Sequence, residues 1–190
     1  MTGTTITLDD TASEGLSRLV NAAVHPGQMM SAMGAYLLTS TQRRFETETG
    51  PEGAKWKPLS PSTAKRKIGR GRVRGTANIL RVTTQLYQSL VMRSDETSAE
   101  VGTNMVYAAV HQFGGAIQQY ARSQRLSLKK IRGGRARFVK HGTKGAELRN
   151  ITIGEHTINI PARPYLGFSQ ADIARLLEIG EEHLLREAAP

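Results

Sequence analysis

The sequence predicts a single α+β domain over residues 1–190. Its antiparallel β-sheet of about four strands is packed by a long helix in the N-terminal half and by a C-terminal helix. Two long basic loops, about 50–78 and 115–148, extend from it. Three observations predict this. Apolar residues recur at three- and four-residue steps from Met30 to Phe45 and again from Ile173 to Leu184. Short runs alternate apolar and polar residues between turn formers at 89–103 and 151–160. The stretches left over are rich in glycine, lysine and arginine and carry no such period.

In chain order, Asp9 and Asp10 precede a helical pattern through Leu16, Leu19, Val20 and Ala23. Acids suit a helix N-terminus, where free N–H groups and the dipole favour negative charge. His25-Pro26-Gly27 stops that helix. A second runs from about Gln28 to Glu48, with Met30, Met33, Leu37, Leu38, Thr41 and Phe45 as its inner stripe. Gly50-Pro51-Glu52-Gly53 is a turn, and Pro58 and Pro61 hold the residues before them extended. Ser62 or Thr63 caps a short helix through Lys67, and Ile68–Thr76 reads as a mobile loop. Leu80, Leu86 and Leu90 fit a helical turn leading into a strand, Ser89–Arg93. Ser98–Thr103 returns as its hairpin partner around Asp95-Glu96-Thr97. Met105–Phe113 is a short helix ended by Gly114-Gly115. Ala121–Glu147 reads as loop. Ile151-Thr152-Ile153 and Ile158-Asn159-Ile160, around Gly154-Glu155-His156, form the clearest hairpin signal. Ser169 caps the last helix, Gln170–Glu187.

Composition narrows the chemistry. Aromatic residues make up 5% of the chain, which predicts an aliphatic core, and there is no cysteine, so thiolate metal sites, disulfides and thiol nucleophiles are excluded. No apolar run approaches a membrane span, and Met1–Asp10 lacks the basic and apolar regions of a signal peptide, so a cytoplasmic setting is expected. The glycines at 69, 71 and 75 miss the dinucleotide fingerprint. The five histidines are scattered, and paired acids are missing from the middle of the chain. The expectation is no enzyme, no cofactor and no metal. Charge is unevenly placed: the net charge is +10, with no acid from Lys55 to Ser94 or from Val101 to Ala146, while the C-terminal end is acidic. Such a pattern serves nucleic acid, or self-association in which the acidic end of one subunit meets the basic loop of the next.

Several phrases, taken in order, resemble the phage virion morphogenesis family, the tail-completion proteins of Mu-like tailed phages. They begin with Arg44-Phe45 and Trp56-Lys57-Pro58-Leu59-Ser60-Pro61. They continue with Leu86-Tyr87-Gln88-Ser89-Leu90, Val101-Gly102-Thr103-Asn104 and Tyr107 through His111-Gln112-Phe113-Gly114-Gly115. Pro161-Ala162-Arg163-Pro164-Tyr165-Leu166-Gly167 closes the series. One departure is Gln85, where the family tends to have glycine before the leucine.

The resemblance implies a structural virion protein at the head–tail junction: a tail-completion, tail-terminator or neck subunit, a head–tail connector component made in the host cytoplasm. It implies a ring, commonly hexameric, around the DNA channel. The expected partners are further copies of the chain, neighbouring connector and tail-tube proteins, and DNA in the lumen, with no membrane. Expected interface residues are Trp56, Arg70, Arg72, Arg74, Tyr107, His111, Phe113, Arg125, Lys129, Lys130, Arg132, Arg135, Arg163, Tyr165, Glu181 and Glu182. For Trp56 two readings stand side by side, a pin holding its loop to the core and an anchor for a partner. The rival function is sequence-independent nucleic-acid binding through the basic loops.

Overall fold

The computed structural model describes residues 12–66, 79–131 and 134–188. In chain order its elements are α1 Ala12–Val24, α2 Gly27–Thr47, α3 Pro61–Arg66, α4 Gln85–Gln88, β1 Val91–Ser94, β2 Ala99–Gly102, α5 Ala108–Phe113, β3 Gly115–Gln119, β4 Arg122–Lys130, β5 Ala136–Phe138, β6 Glu147–Ile153, β7 His156–Ile160 and α6 Gln170–Ala188. The α+β class holds. The strands, however, do not join in one four-stranded sheet. They form three antiparallel sheets, β1–β2, β3–β7 and β5–β4–β6. The described residues gather into two compact units, one of Gly114–Pro161 and one of the residues before and after it.

In the first unit, α2 follows its sequence pattern. Gly34, Thr41, Arg44 and Phe45 are the buried positions, and the helix ends where Glu48 turns left-handed at φ 55°. The hairpin β1–β2 packs on α2, close enough that a Cβ on Gly34 would stand 2.9 Å from the Met92 sulfur. Its turn is held by Asp95, whose carboxylate accepts the N–H groups of Thr97 at 2.8 Å and Ser98 at 2.7 Å. The cap of α3 is Ser60 rather than Ser62 or Thr63, its hydroxyl accepting the Thr63 N–H at 3.3 Å. The left-handed residue that a glycine would favour before α4 falls on Thr84, at φ 56°. On α1 the expected inner stripe is partly reversed: Ala22 is buried, whereas Leu16 and Val20 are exposed.

The core of this unit is aromatic at its centre, against the aliphatic expectation. Phe45, fully buried, has Trp56 at 5.5 Å, Tyr165 at 5.0 Å and Tyr87 at 6.0 Å between ring centroids. Ile79, Leu86, Leu90 and Ala108 complete the cluster. Composition averages over the whole chain; here four of its ten aromatic residues converge on one place.

The second unit overturns two expectations. The stretch 115–148 is largely strand, and β6 and β7 are not a hairpin. Instead β6 pairs with β4 and β7 with β3. Both ladders share one register, running from Gly115 opposite Ile160 to Leu128 opposite Glu147. The two sheets are therefore successive parts of one antiparallel ribbon, interrupted where 120–121 face 154–155. At ~3.4 Å per residue its contour from 115 to 128 is roughly 45 Å. β5 adds a third strand beside the end of β4. Among the described residues, no hydrophobic side chain of this unit is fully buried. A ribbon of this kind has little core of its own.

Candidate functional site

The most connected place in the first unit is the segment 162–167, threaded between α2, α5 and the proline loop. Its backbone is held largely by side chains. The Gln112 side-chain oxygen accepts the N–H groups of Tyr165 at 2.9 Å and Leu166 at 3.0 Å, while its amide nitrogen donates to the Leu166 carbonyl at 2.9 Å. The Trp56 indole N–H donates to the Pro164 carbonyl at 2.8 Å. The Arg163 side chain donates to the Lys57 carbonyl at 3.1 Å, and its backbone N–H to the His111 carbonyl at 2.7 Å. Burial lowers the Arg163 pKa, opposed by the Glu48 carboxylate.

Arg44 and Asp172 lock this segment to α2 and α6. The Arg44 guanidinium donates to the carbonyls of Tyr165 at 2.9 Å and Gly167 at 2.8 Å, and forms a buried ion pair with Asp172. Asp172 also accepts from the hydroxyls of Ser40 at 2.5 Å and Tyr36 at 3.1 Å, and from the backbone and side chain of Ser169. The Ser169 hydroxyl in turn accepts the Asp172 N–H at 3.0 Å, a reciprocal cap at the start of α6. Burial works to raise the Asp172 pKa. The hydrogen bonds from Ser169 and Ser40 and the charge of Arg44 outweigh it, and bring it from 3.8 to about 2.

Gly167 adds a steric condition. Its φ is 141°, and a Cβ there would stand 2.8 Å from Cγ of Pro51, a rigid ring. Gly167→Ala is expected to destabilise the chain by about 2 kcal/mol. The measurement is the urea midpoint at unchanged m-value; a shift within error would show that the turn relaxes freely.

The expected interface residues separate into groups. Trp56, Arg163 and Tyr165 are buried and occupied within the chain. For Trp56 the pin is the arrangement seen, against α2 and the 162–167 segment. His111 is half-buried and meets Tyr107 edge-on at 5.9 Å. Phe113 is 79% exposed. Arg125, Lys129, Lys130 and Arg135 are exposed on the ribbon unit, and Glu181 and Glu182 on α6. Arg175 bonds to Glu178 at 2.8 Å and Glu182 at 2.9 Å. Arg70, Arg72, Arg74 and Arg132, with the loop 68–76, lie outside the described residues.

Sequence reasoning gave no role to Arg44, Asp172 or Gln112. One signal was present: Arg44 stands between Thr41 and Phe45 on the inward stripe of α2, and a buried arginine demands a partner.

Among the described residues no three metal-ligating side chains come together, and no helix is long and apolar enough to cross a membrane. Among the described residues, open hollows lie along α1 at Leu16, Val20 and Val24 and at the ribbon end, with Lys129, Arg137 and Lys140 around Ile131 and Val139.

Comparison with known proteins gives three findings. The phage virion morphogenesis family matches residues 9–185. The chain is 28% identical over 166 residues to the Mu-like prophage FluMu G protein 2 of Haemophilus influenzae, covering 87% of this chain and 83% of that protein. It is 34% identical over 84 residues to the "Putative capsid assembly protein G" of Escherichia phage Mu, covering 44% of this chain and 53% of that one. No solved structure matches.

Proposed function

This chain belongs to the phage virion morphogenesis family and has a structural or assembly role in building a phage particle; from that premise we propose that it is a subunit of the head–tail junction. In this reading it completes the tail or neck as a ring of identical subunits, six being the expected number, around the DNA channel. Its partners are its own copies and the adjoining connector and tail-tube proteins, and its place is the neck of the virion.

The observation that carries the reading is the division of labour between the two units. The first has a packed core and a segment locked by side-chain hydrogen bonds. The second is a ribbon without buried hydrophobic side chains among the described residues. A body with an uncovered ribbon suits an assembly that buries the ribbon against a neighbour. A closed ring needs heterologous contacts, in which one face meets a different face, and the two units supply different faces.

Charge favours a second reading. Residues 114–161 hold ten Lys+Arg and two Asp+Glu, so they carry +8 of the net +10. That suits sequence-independent nucleic-acid binding, which would fall steeply with salt.

The test is the copy number of the chain in purified virions, by quantitative mass spectrometry against the portal protein. The junction reading expects a small fixed number, about six or twelve per particle. Absence from mature particles would overturn it.

A further inference from the structure

We propose that the end of the ribbon of one copy docks on the exposed face of α6 of a second copy. This rests on the ring reading above and names its contact surfaces.

The argument begins with register. Lys129 stands directly opposite Arg137, so two cations share one face of the β5–β4–β6 sheet. Like charges in that position repel, and neither has an acidic partner among the described residues. Arg125 lies on the same face by alternation. The opposite face is different: there Glu147 takes both Lys130 at 3.4 Å and Arg149 at 3.2 Å. Glu147 thus offsets part of the charge of that face, whereas none of Arg125, Lys129 and Arg137 has an acidic partner among the described residues.

That side is not purely polar. Leu148, across from Ser127, is 51% exposed, and Ile131, just beyond β4, is 47% exposed. A nucleic-acid backbone would answer the charge and leave these side chains in water. A partner that answers both must carry acids among apolar residues.

The chain has such a surface. Along α6, Ile173, Leu177 and Leu184 fall on one face at helical spacing, all exposed, with Glu181 in the gap of that stripe. Glu178 and Glu182 flank it, sharing the single Arg175. The stripe is apolar and net acidic; the ribbon end is apolar and basic. Because the two surfaces differ, the contact is head-to-tail, the type that closes rings.

The test is charge exchange in the full chain, read by native mass spectrometry and light scattering over a concentration series. Lys129→Glu with Arg137→Glu, and separately Glu181→Arg with Glu182→Arg, are each expected to weaken self-association at least about tenfold. Combining all four should restore it. Lys130→Glu, on the opposite face, should leave it near wild type. Tryptophan emission, from the buried Trp56, checks that each variant is folded.

If wild type assembles and both charge reversals assemble equally well, the inference falls while the ring reading stands. Failure of the four-fold variant to recover also overturns it. If the ribbon variant leaves assembly intact but abolishes binding of a 30-base-pair duplex, the face belongs to nucleic acid instead. A wild-type chain that stays monomeric at every concentration overturns both the inference and the ring.

Discussion

Asp172→Ala is expected to destabilise the chain by about 3–5 kcal/mol, the usual consequence of removing one partner of a buried ion pair. Asp172 is 2% exposed and Arg44 6% exposed, so the orphaned guanidinium would stay in a dry site. It would keep only the carbonyls of Tyr165 and Gly167. Ser40, Tyr36 and Ser169 would lose their common acceptor at the same time. At this chain length the loss corresponds to a fall in melting temperature of roughly 6–20 °C. Differential scanning calorimetry on wild type and variant measures it. A change of under about 1 kcal/mol would show that water reaches the site and solvates Arg44. Replacing both partners by apolar residues, Arg44→Met with Asp172→Leu, should cost less than the single change, because no buried charge is then left alone.

The same carboxylate sets an acid limit. Its pKa in the folded chain, about 2, lies below its ordinary value of 3.8. Between those values the unfolded chain binds the proton more readily, so stability falls as the pH falls. The contribution is fully present above about pH 4 and is lost on approach to pH 2, on the order of 2 kcal/mol in all. Denaturation by urea at a series of pH values should show this loss in wild type and not in Asp172→Asn.

Phe45→Ala should have a comparable effect, about 3–5 kcal/mol, through the cavity it leaves. Phe45 is the shared neighbour of Trp56, Tyr87 and Tyr165, so three aromatic contacts go together. Trp56 provides the readout, as the only tryptophan of the chain. Its emission should move to longer wavelength at a lower urea concentration than in wild type. If the midpoint is unchanged, the rings have closed over the space and the aromatic cluster is not the centre of stability.

Much of the first unit was legible in the residues. The stripe from Met30 to Phe45 located α2, and the reach of Asp95 to the N–H groups of Thr97 and Ser98 is the local chemistry that its turn position implies. The segment Pro161–Gly167 stood out by its prolines, but the groups that satisfy its backbone did not. Gln112 and Trp56 lie 53 and 108 residues away from their partners there. The ion pair spans 128 residues, and nothing local in either sequence neighbourhood names the other. The ribbon is the sharpest case. The alternating isoleucines at 151, 153, 158 and 160 mark strand, yet their partners lie far off in sequence, β6 against β4 and β7 against β3. Alternation reports that a segment is extended; it does not say what lies across the ladder.

By itself, then, the sequence determined the inner stripe of α2, the β1–β2 turn, the uneven charge and the likeness to a phage assembly family. Each depends on preferences that act within a few residues, or on charge that can be read directly. The tertiary structure alone decided that Arg44 meets Asp172, that four aromatic rings share one core, and that 115–128 runs against 147–160. Those pairings are chosen by which distant surfaces exclude water together and satisfy one another's hydrogen bonds, and no local preference carries that information.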